Sequence, residues 1–184
     1  MRALVTGGAR SGKSGFAERY SATLAEKGMY IATCQPYDKE MEARIALHRE
    51  QRERSGYAWR TVEEPYSLSE FLSSGAAEPG EVILVDCLTL WLTNWLLRWE
   101  QEADAEARVE EKIRELVETF RSCRADVVMV TNEVGYGLVP EYRLGRQFRD
   151  LSGRMNQRLA EAADQVFLVT AGIPVELKSK AYIL

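Results

Sequence analysis

The chain has 184 residues, of which 46% are hydrophobic and 28% charged, a composition typical of a soluble globular protein with a substantial core. A formal net charge of −4 and an isoelectric point near 5.3 argue against a nucleic-acid-binding surface. No apolar run approaches the roughly 18 residues of a membrane span. The three cysteines form no C-x-x-C pair, which is typical of reduced thiols in a cytosolic protein. We therefore expect a single cytoplasmic domain over residues 1–184, with neither nucleic acid nor a membrane as partner.

The first predicted strand, at residues 3–6, is followed by a glycine-rich segment that fits the phosphate-binding motif G-x-x-x-x-G-K-S/T, and then by a predicted helix. The segment consists of Gly7, Gly8, Ala9, Arg10, Ser11, Gly12, Lys13 and Ser14. Such glycines let backbone N–H groups surround a polyphosphate at the helix N-terminus. We predict that Lys13 binds the β- and γ-phosphates of a nucleotide and that Ser14 is a ligand of Mg²⁺. The alternative is a glycine-rich turn that binds nothing.

Strand and helix patterns alternate along the rest of the chain. Strands are predicted at residues 29–33, 57–63, 82–86, 127–131, 166–169 and 175–177. Helices are predicted at residues 38–54, 67–73, 90–99, 103–124 and 142–163. This alternation predicts an α/β fold of the P-loop NTPase type, with a doubly wound, mostly parallel sheet and helices on both faces.

The only histidine, His48, lies in the charged helix predicted at 38–54, four residues from both Arg44 and Arg52. Neighbouring cations disfavour the imidazolium form. A neutral imidazole beside arginines is suited to nucleophilic attack on a phosphate. On helix geometry alone, the alternative of an exposed histidine without a role stays open.

Two later segments also bear on function. The apolar strand at 82–85 ends in Asp86, the position at which P-loop enzymes place a carboxylate that helps to hold Mg²⁺, although buried strands often end in an acid without a function. The helix at 90–99 carries Trp91, Trp95 and Trp99 on one face. We interpret this stripe as core or subunit interface, and a surface for a large flat ligand is the alternative.

A family resemblance extends over essentially the whole chain and is carried by seven segments: Gly7–Ser14, Tyr30–Thr33, Arg44–Arg52, Trp59–Thr61, Thr131–Gly135, Val139–Glu141 and Gly153–Leu159. With these segments the chain resembles the bifunctional adenosylcobinamide kinase/adenosylcobinamide-phosphate guanylyltransferase family of cobalamin biosynthesis. The phosphate loop alone is not specific to that family. The histidine-containing segment together with the Asn-Glu-Val-Gly loop is specific.

The resemblance implies two reactions. In the first, GTP or ATP phosphorylates the aminopropanol hydroxyl of adenosylcobinamide. In the second, GMP from GTP is carried on a histidine, which falls on His48, and is passed to adenosylcobinamide phosphate. The resemblance also places further residues around the nucleotide: Thr33, Cys34, Gln35, Arg49, Glu50, Gln51, Arg52, Glu63 and Asp86. Some members have two adjacent histidines where this chain has Leu47 and His48. The resemblance suggests a homo-oligomer, possibly a trimer.

Three rival functions share part of this pattern. A small regulatory GTPase would carry an Asn-Lys-x-Asp motif, whereas the comparable segment Thr131–Val134 has neither lysine nor aspartate. A RecA-like nucleic-acid motor would be expected to have basic loops, which the acidic isoelectric point disfavours. A plain small-molecule kinase needs Lys13, Ser14 and Asp86 but has no use for His48. The sequence leaves open which triphosphate feeds the kinase step and which residues bind the corrinoid.

Overall fold

The computed structural model describes residues 1–35, 46, 49–50 and 52–182. His48, Gln51 and most of the helix predicted at 38–54 lie outside the described residues. Residues 46, 49–50 and 52–54 are helical, as predicted.

The remaining elements follow the predicted alternation. The seven strands are β1 (Arg2–Thr6), β2 (Lys27–Ala32), β3 (Ala58–Glu63), β4 (Glu81–Asp86), β5 (Asp126–Val130), β6 (Gln165–Thr170) and β7 (Ile173–Glu176). The longer helices are α1 (Lys13–Leu24), α2 (Leu68–Ser73), α3 (Leu88–Arg98), α4 (Ala105–Ser122) and α5 (Arg143–Ala162). A short 3₁₀ turn follows at Lys178–Lys180. No helix among these described residues is both long and apolar enough to cross a membrane.

The strands form one sheet in the order β3-β2-β4-β5-β1-β6-β7. All neighbouring strands are parallel except β6 and β7, which form an antiparallel edge. The predicted doubly wound, mostly parallel α/β sheet is therefore confirmed. Because parallel strands end on the same side, the loops after β1, β4 and β5 meet at one edge, where ligands bind in open α/β sheets.

Side chains alternate between two hydrophobic layers along each strand, as the period of a strand requires. Met29 and Ile31 of β2 face the layer formed with helices α2 to α5. Tyr30, between them, faces the opposite layer, which α1 covers. The sheet is thus buried on both faces, and this explains why its central strands are almost purely apolar.

The tryptophan stripe belongs to the core, as we interpreted it. Trp91 is fully buried, and its indole N–H donates to the Tyr66 carbonyl at 2.9 Å. Trp95 is also buried and stacks on the partly buried Trp99 with 4.6 Å between ring centroids. These contacts leave no open aromatic face for a flat ligand on Trp91.

Candidate functional site

The loop between β1 and α1 is held in place by close packing against the β6–β7 side of the sheet. A Cβ atom on Gly7 would lie 2.4 Å from the Val169 carbonyl oxygen, and one on Gly12 would lie 3.2 Å from the Cα of Gly172. Gly12 also has a φ of 91°, a conformation that glycine adopts without strain. The Gly172 N–H donates to the Ser11 carbonyl at 2.8 Å. Glycines at 7 and 12 are therefore needed for the backbone to pass so close to its neighbours.

Lys13 opens α1 and lies over this loop. Its side chain is largely buried, and its ammonium group donates to the Gly8 carbonyl at 3.1 Å. Because α1 begins here, the backbone N–H groups of its first turn add a partial positive charge. The lysine and the helix end together provide the positive groups that the predicted phosphate site requires, and phosphate binding itself stays a prediction.

A pocket of about 250 Å³ lies beside this helix end. It is lined by seven of the predicted site residues: Ala9, Arg10, Lys13, Ser14, Cys34, Arg52 and Asp86. They come from the phosphate loop, from the ends of β2 and β4, and from the helical residues before β3. The sheet topology thus gathers cations, a hydroxyl and a carboxylate from distant parts of the sequence.

Asp86 ends β4 and is anchored by Tyr30, whose hydroxyl donates to its Oδ2 atom at 3.2 Å. Asp86 and Ser14 supply the hard oxygen ligands that Mg²⁺ prefers. Among the described residues, no cluster of three or more His, Cys, Asp or Glu side chains could hold a metal ion. A hydroxyl and a carboxylate at the same pocket form a donor set that fits a magnesium ion, and magnesium binding itself stays a prediction.

Arg52 is a buried cation at the pocket wall, with only 5% of its surface exposed. Its guanidinium carbon lies 3.5 Å from the centroid of the Tyr30 ring. Its Nε atom has no hydrogen-bond partner among the described residues. Burial raises the pKa of nearby Glu18, an effect that the Arg52 charge opposes and the Asp86 charge reinforces. Arg52 is thus positioned to attract an anion into the pocket.

Thr33 and Gln35 do not line this pocket, and their side chains contact other parts of the protein. Thr33 is fully buried, and its hydroxyl donates to the Cys87 carbonyl at 2.6 Å and accepts the Cys87 N–H at 3.0 Å. Gln35 Oε1 lies 3.5 Å from the Tyr66 hydroxyl.

Burial raises the pKa of Cys87 to about 12, and the Asp86 charge adds to the effect. This thiol therefore stays protonated and is not a nucleophile.

The other predicted nucleotide-binding residues form surface ion pairs. Arg49 and Glu63 are joined at 2.9 Å, and Glu50 pairs with Arg54 at 2.6 Å. All four side chains are at least half exposed. The first pair connects the helical residues to β3, the second lies within those helical residues, and both contribute little to stability. A role for them in nucleotide binding stays a prediction, as do the roles of His48 and Gln51.

The family model described as cobinamide kinase / cobinamide phosphate guanyltransferase matches residues 3–177. The chain belongs to this family. The resemblance seen in the sequence is therefore confirmed, and the chain is an enzyme of this kinase and guanylyltransferase family.

Two similar proteins match nearly the whole chain. The bifunctional adenosylcobalamin biosynthesis protein CobU of Escherichia coli strain K12 is 45% identical over 186 residues, which span 97% of this chain and 100% of the relative. The bifunctional adenosylcobalamin biosynthesis protein CobP of Pseudomonas aeruginosa is 43% identical, over 98% of this chain and 99% of the relative. A solved structure from Pyrococcus horikoshii OT3 is similar in fold, with a TM-score of 0.51 and 9% identity over 95% of this chain and 84% of that one.

Sequence reasoning did not find all the residues at this site. Tyr30 belongs to the resemblance segment Tyr30–Thr33, but its place in the middle of a strand predicts only a buried side chain. Asn132 also lines the pocket, and its buried side-chain oxygen has no hydrogen-bond partner among the described residues. Its backbone N–H donates to the Thr89 hydroxyl at 2.9 Å. The signal for Asn132 was its place after the buried strand β5, since loops at that edge form the ligand crevice.

Proposed function

We propose that this protein first phosphorylates adenosylcobinamide on its aminopropanol hydroxyl, using a nucleoside triphosphate. It then transfers GMP from GTP through His48 to adenosylcobinamide phosphate, which gives adenosylcobinamide-GDP and pyrophosphate. The family membership supports both reactions. The observation that carries the proposal is the convergence of Lys13, Ser14, Asp86 and Arg52 on one pocket, because both reactions need a bound triphosphate. We further propose a single domain that acts as a homo-oligomer on small-molecule substrates.

The kinase reaction is assigned to the phosphate loop. Lys13 and the backbone N–H groups at the start of α1 bind the triphosphate and neutralise charge as the γ-phosphoryl group is transferred. Ser14 and Asp86 would hold Mg²⁺, which, when bound, offsets the charge of the phosphate oxygens. The substrate hydroxyl oxygen forms a bond to the γ-phosphorus as the bond from that phosphorus to the β–γ bridging oxygen breaks. The nucleoside diphosphate leaves with the electron pair, and the hydroxyl proton is released to solvent.

The guanylyl transfer is assigned to His48. An imidazole nitrogen attacks the α-phosphorus of GTP, the bond to the β-phosphate oxygen breaks, and pyrophosphate leaves. A phosphate oxygen of adenosylcobinamide phosphate then attacks the same phosphorus, and the phosphorus–nitrogen bond breaks to release His48. This covalent route divides one difficult transfer into two displacements. Arg52, four residues after His48, lines the pocket beside Lys13, and this supports the assignment.

The test uses protein incubated with Mg²⁺ and α-³²P-GTP, with γ-³²P-GTP as the matched control. We expect acid-labile label from the α-phosphate and none from the γ-phosphate, because pyrophosphate departs. A lysine phosphoramidate is also acid-labile, so His48→Asn and Lys13→Ala are compared and the labelled peptide is sequenced by mass spectrometry. His48→Asn should lose the label and keep most of its kinase activity. Full labelling of His48→Asn would refute the covalent role of His48.

A further inference from the structure

Arg52 is an unusual cation because it is almost completely buried yet forms no ion pair with any described residue. A buried charge is costly unless something compensates it. The face of the Tyr30 ring, 3.5 Å from the guanidinium carbon, gives part of that compensation. The carboxyl group of Glu18 also interacts with the Arg52 charge, and a phosphate group entering the pocket would compensate it further. The ring thus keeps the guanidinium at the pocket wall before any nucleotide arrives.

The same tyrosine also contacts the carboxylate that we assign to magnesium binding. Its hydroxyl donates to Asp86 Oδ2 at 3.2 Å, across the parallel pair β2 and β4. Tyr30 itself is only 6% exposed, and its ring packs edge-on against Trp59 at 6.1 Å between centroids. Because the side chain is fixed by strand and core packing, it can hold both partners in a constant geometry.

We propose that Tyr30 is a positioning residue that holds Arg52 with its ring and Asp86 with its hydroxyl. The proposal rests on the proposed function, in which both partners act on the triphosphate. It gives Tyr30 two separable roles. The ring sets the affinity for the triphosphate through Arg52, and the hydroxyl sets how much Mg²⁺ increases that affinity.

The experiment measures equilibrium binding of a GTP analogue with a methylene bridge between the α- and β-phosphorus, which cannot transfer GMP. Titration calorimetry with and without magnesium chloride is carried out on full-length protein and on Tyr30→Phe, Tyr30→Leu, Arg52→Met and the Tyr30→Leu/Arg52→Met double variant. Tyr57→Phe is the matched control, since it also loses one hydroxyl hydrogen bond, to the Ala25 carbonyl, away from the pocket.

Tyr30→Phe keeps the ring, so its affinity without magnesium should match that of Tyr57→Phe. Its gain in affinity on adding magnesium should fall roughly tenfold, as expected for loss of a hydrogen bond to a charged group. Tyr30→Leu should bind roughly tenfold more weakly even without magnesium, because a desolvated cation–π contact is lost. In the Arg52→Met background the same leucine substitution should cost less than about twofold, since coupled residues are not additive.

Two results would overturn the proposal. One is an equal loss of affinity for Tyr30→Leu in the wild-type and Arg52→Met backgrounds, which would make Tyr30 a core residue only. The other is a magnesium response of Tyr30→Phe that matches Tyr57→Phe. Thermal unfolding of each variant separates these results from loss of the fold. A wild-type protein that binds the analogue and shows this coupling, but is never labelled by α-³²P-GTP, would refute the proposed guanylyl transfer and leave the positioning role standing.

Discussion

Replacing Gly7 by alanine tests whether the phosphate loop depends on its close approach to β6. A Cβ atom at this position would lie 2.4 Å from the Val169 carbonyl oxygen and 2.7 Å from the Ser11 hydroxyl oxygen. The hydroxyl can rotate away, but the carbonyl belongs to a strand that is hydrogen-bonded on both sides, to β1 and to β7. The loop must therefore move by about 1 Å to restore an ordinary van der Waals contact.

The cost of this displacement follows from the general effect of overpacking, about 1–3 kcal/mol. In a protein of this size, each kcal/mol lowers the melting temperature by roughly 2–4 °C. We therefore expect Gly7→Ala to melt roughly 2–12 °C below the wild-type protein when no nucleotide is present. Because the loop positions the triphosphate, both transfer rates should also fall, by on the order of 100-fold for a displacement near 1 Å. Differential scanning calorimetry and steady-state rates measure the two effects.

Gly8→Ala is the matched stability control. A Cβ atom on Gly8 would have no heavy atom within 4 Å, and the backbone φ angle of Gly8 is not positive. Its unfolding free energy should thus be unchanged or raised by up to about 1 kcal/mol, through the lower entropy of the unfolded chain. If Gly7→Ala and Gly8→Ala unfold at the same temperature, the contact with β6 does not constrain the loop, and our account of its geometry is wrong.

Three further predictions concern single side chains. Lys13→Ala should lower both transfer rates by on the order of 100-fold or more, because both reactions lose the same positive charge at the triphosphate. A rate assay in which only one of the two reactions is impaired would contradict a shared site. Asn94→Ala should lower the free energy of unfolding by roughly 2–4 kcal/mol, because this fully buried amide donates to the Thr33 carbonyl and to a second backbone oxygen. Urea denaturation measures the change, and a loss below about 1 kcal/mol would contradict the importance of these two hydrogen bonds. The hydrogen bond from Arg60 holds the pKa of Glu81 below its usual value. The ionised Glu81 carboxylate therefore stabilises the folded protein above about pH 4.5, and this stabilisation is lost as the pH falls through the lowered pKa. Melting temperatures measured between pH 7 and pH 3 should therefore fall less steeply for Glu81→Gln, and parallel curves would exclude this carboxylate as a cause.

The sequence predicted the sheet and the phosphate loop because both are encoded locally. A run such as Val82–Asp86 can be recognised without knowing its neighbours, since burial on both faces requires continuous apolar residues. The glycines and the lysine of the Gly7–Ser14 loop have the fixed spacing of the motif, because in such loops the backbone N–H groups and the lysine bind the same phosphates. Asp86 was predicted from its position at the end of β4, where P-loop enzymes place a carboxylate that helps to hold Mg²⁺.

The contacts of Tyr30 and Thr33 were not predictable by the same means. In the sequence, Tyr30 looks like one more apolar residue of β2. Its two polar contacts come from Asp86 of β4 and from Arg52, in the segment between β2 and β3. Thr33 matches the family pattern near the nucleotide, yet in the structure its hydroxyl bonds to the backbone of Cys87. Both depend on which strands become neighbours, a property of the whole fold and of no local pattern.

Under the proposed function, one pocket serves both reactions. Its volume of about 250 Å³ is smaller than the 300–1,000 Å³ typical of sites for whole ligands, so we expect it to hold the triphosphate and not the whole corrinoid. Lys13 is fixed by the loop and is available to either reaction, whereas Arg52 reaches the pocket from the helical residues that follow His48. The choice between the γ- and the α-phosphorus therefore depends on which nucleophile approaches the bound triphosphate.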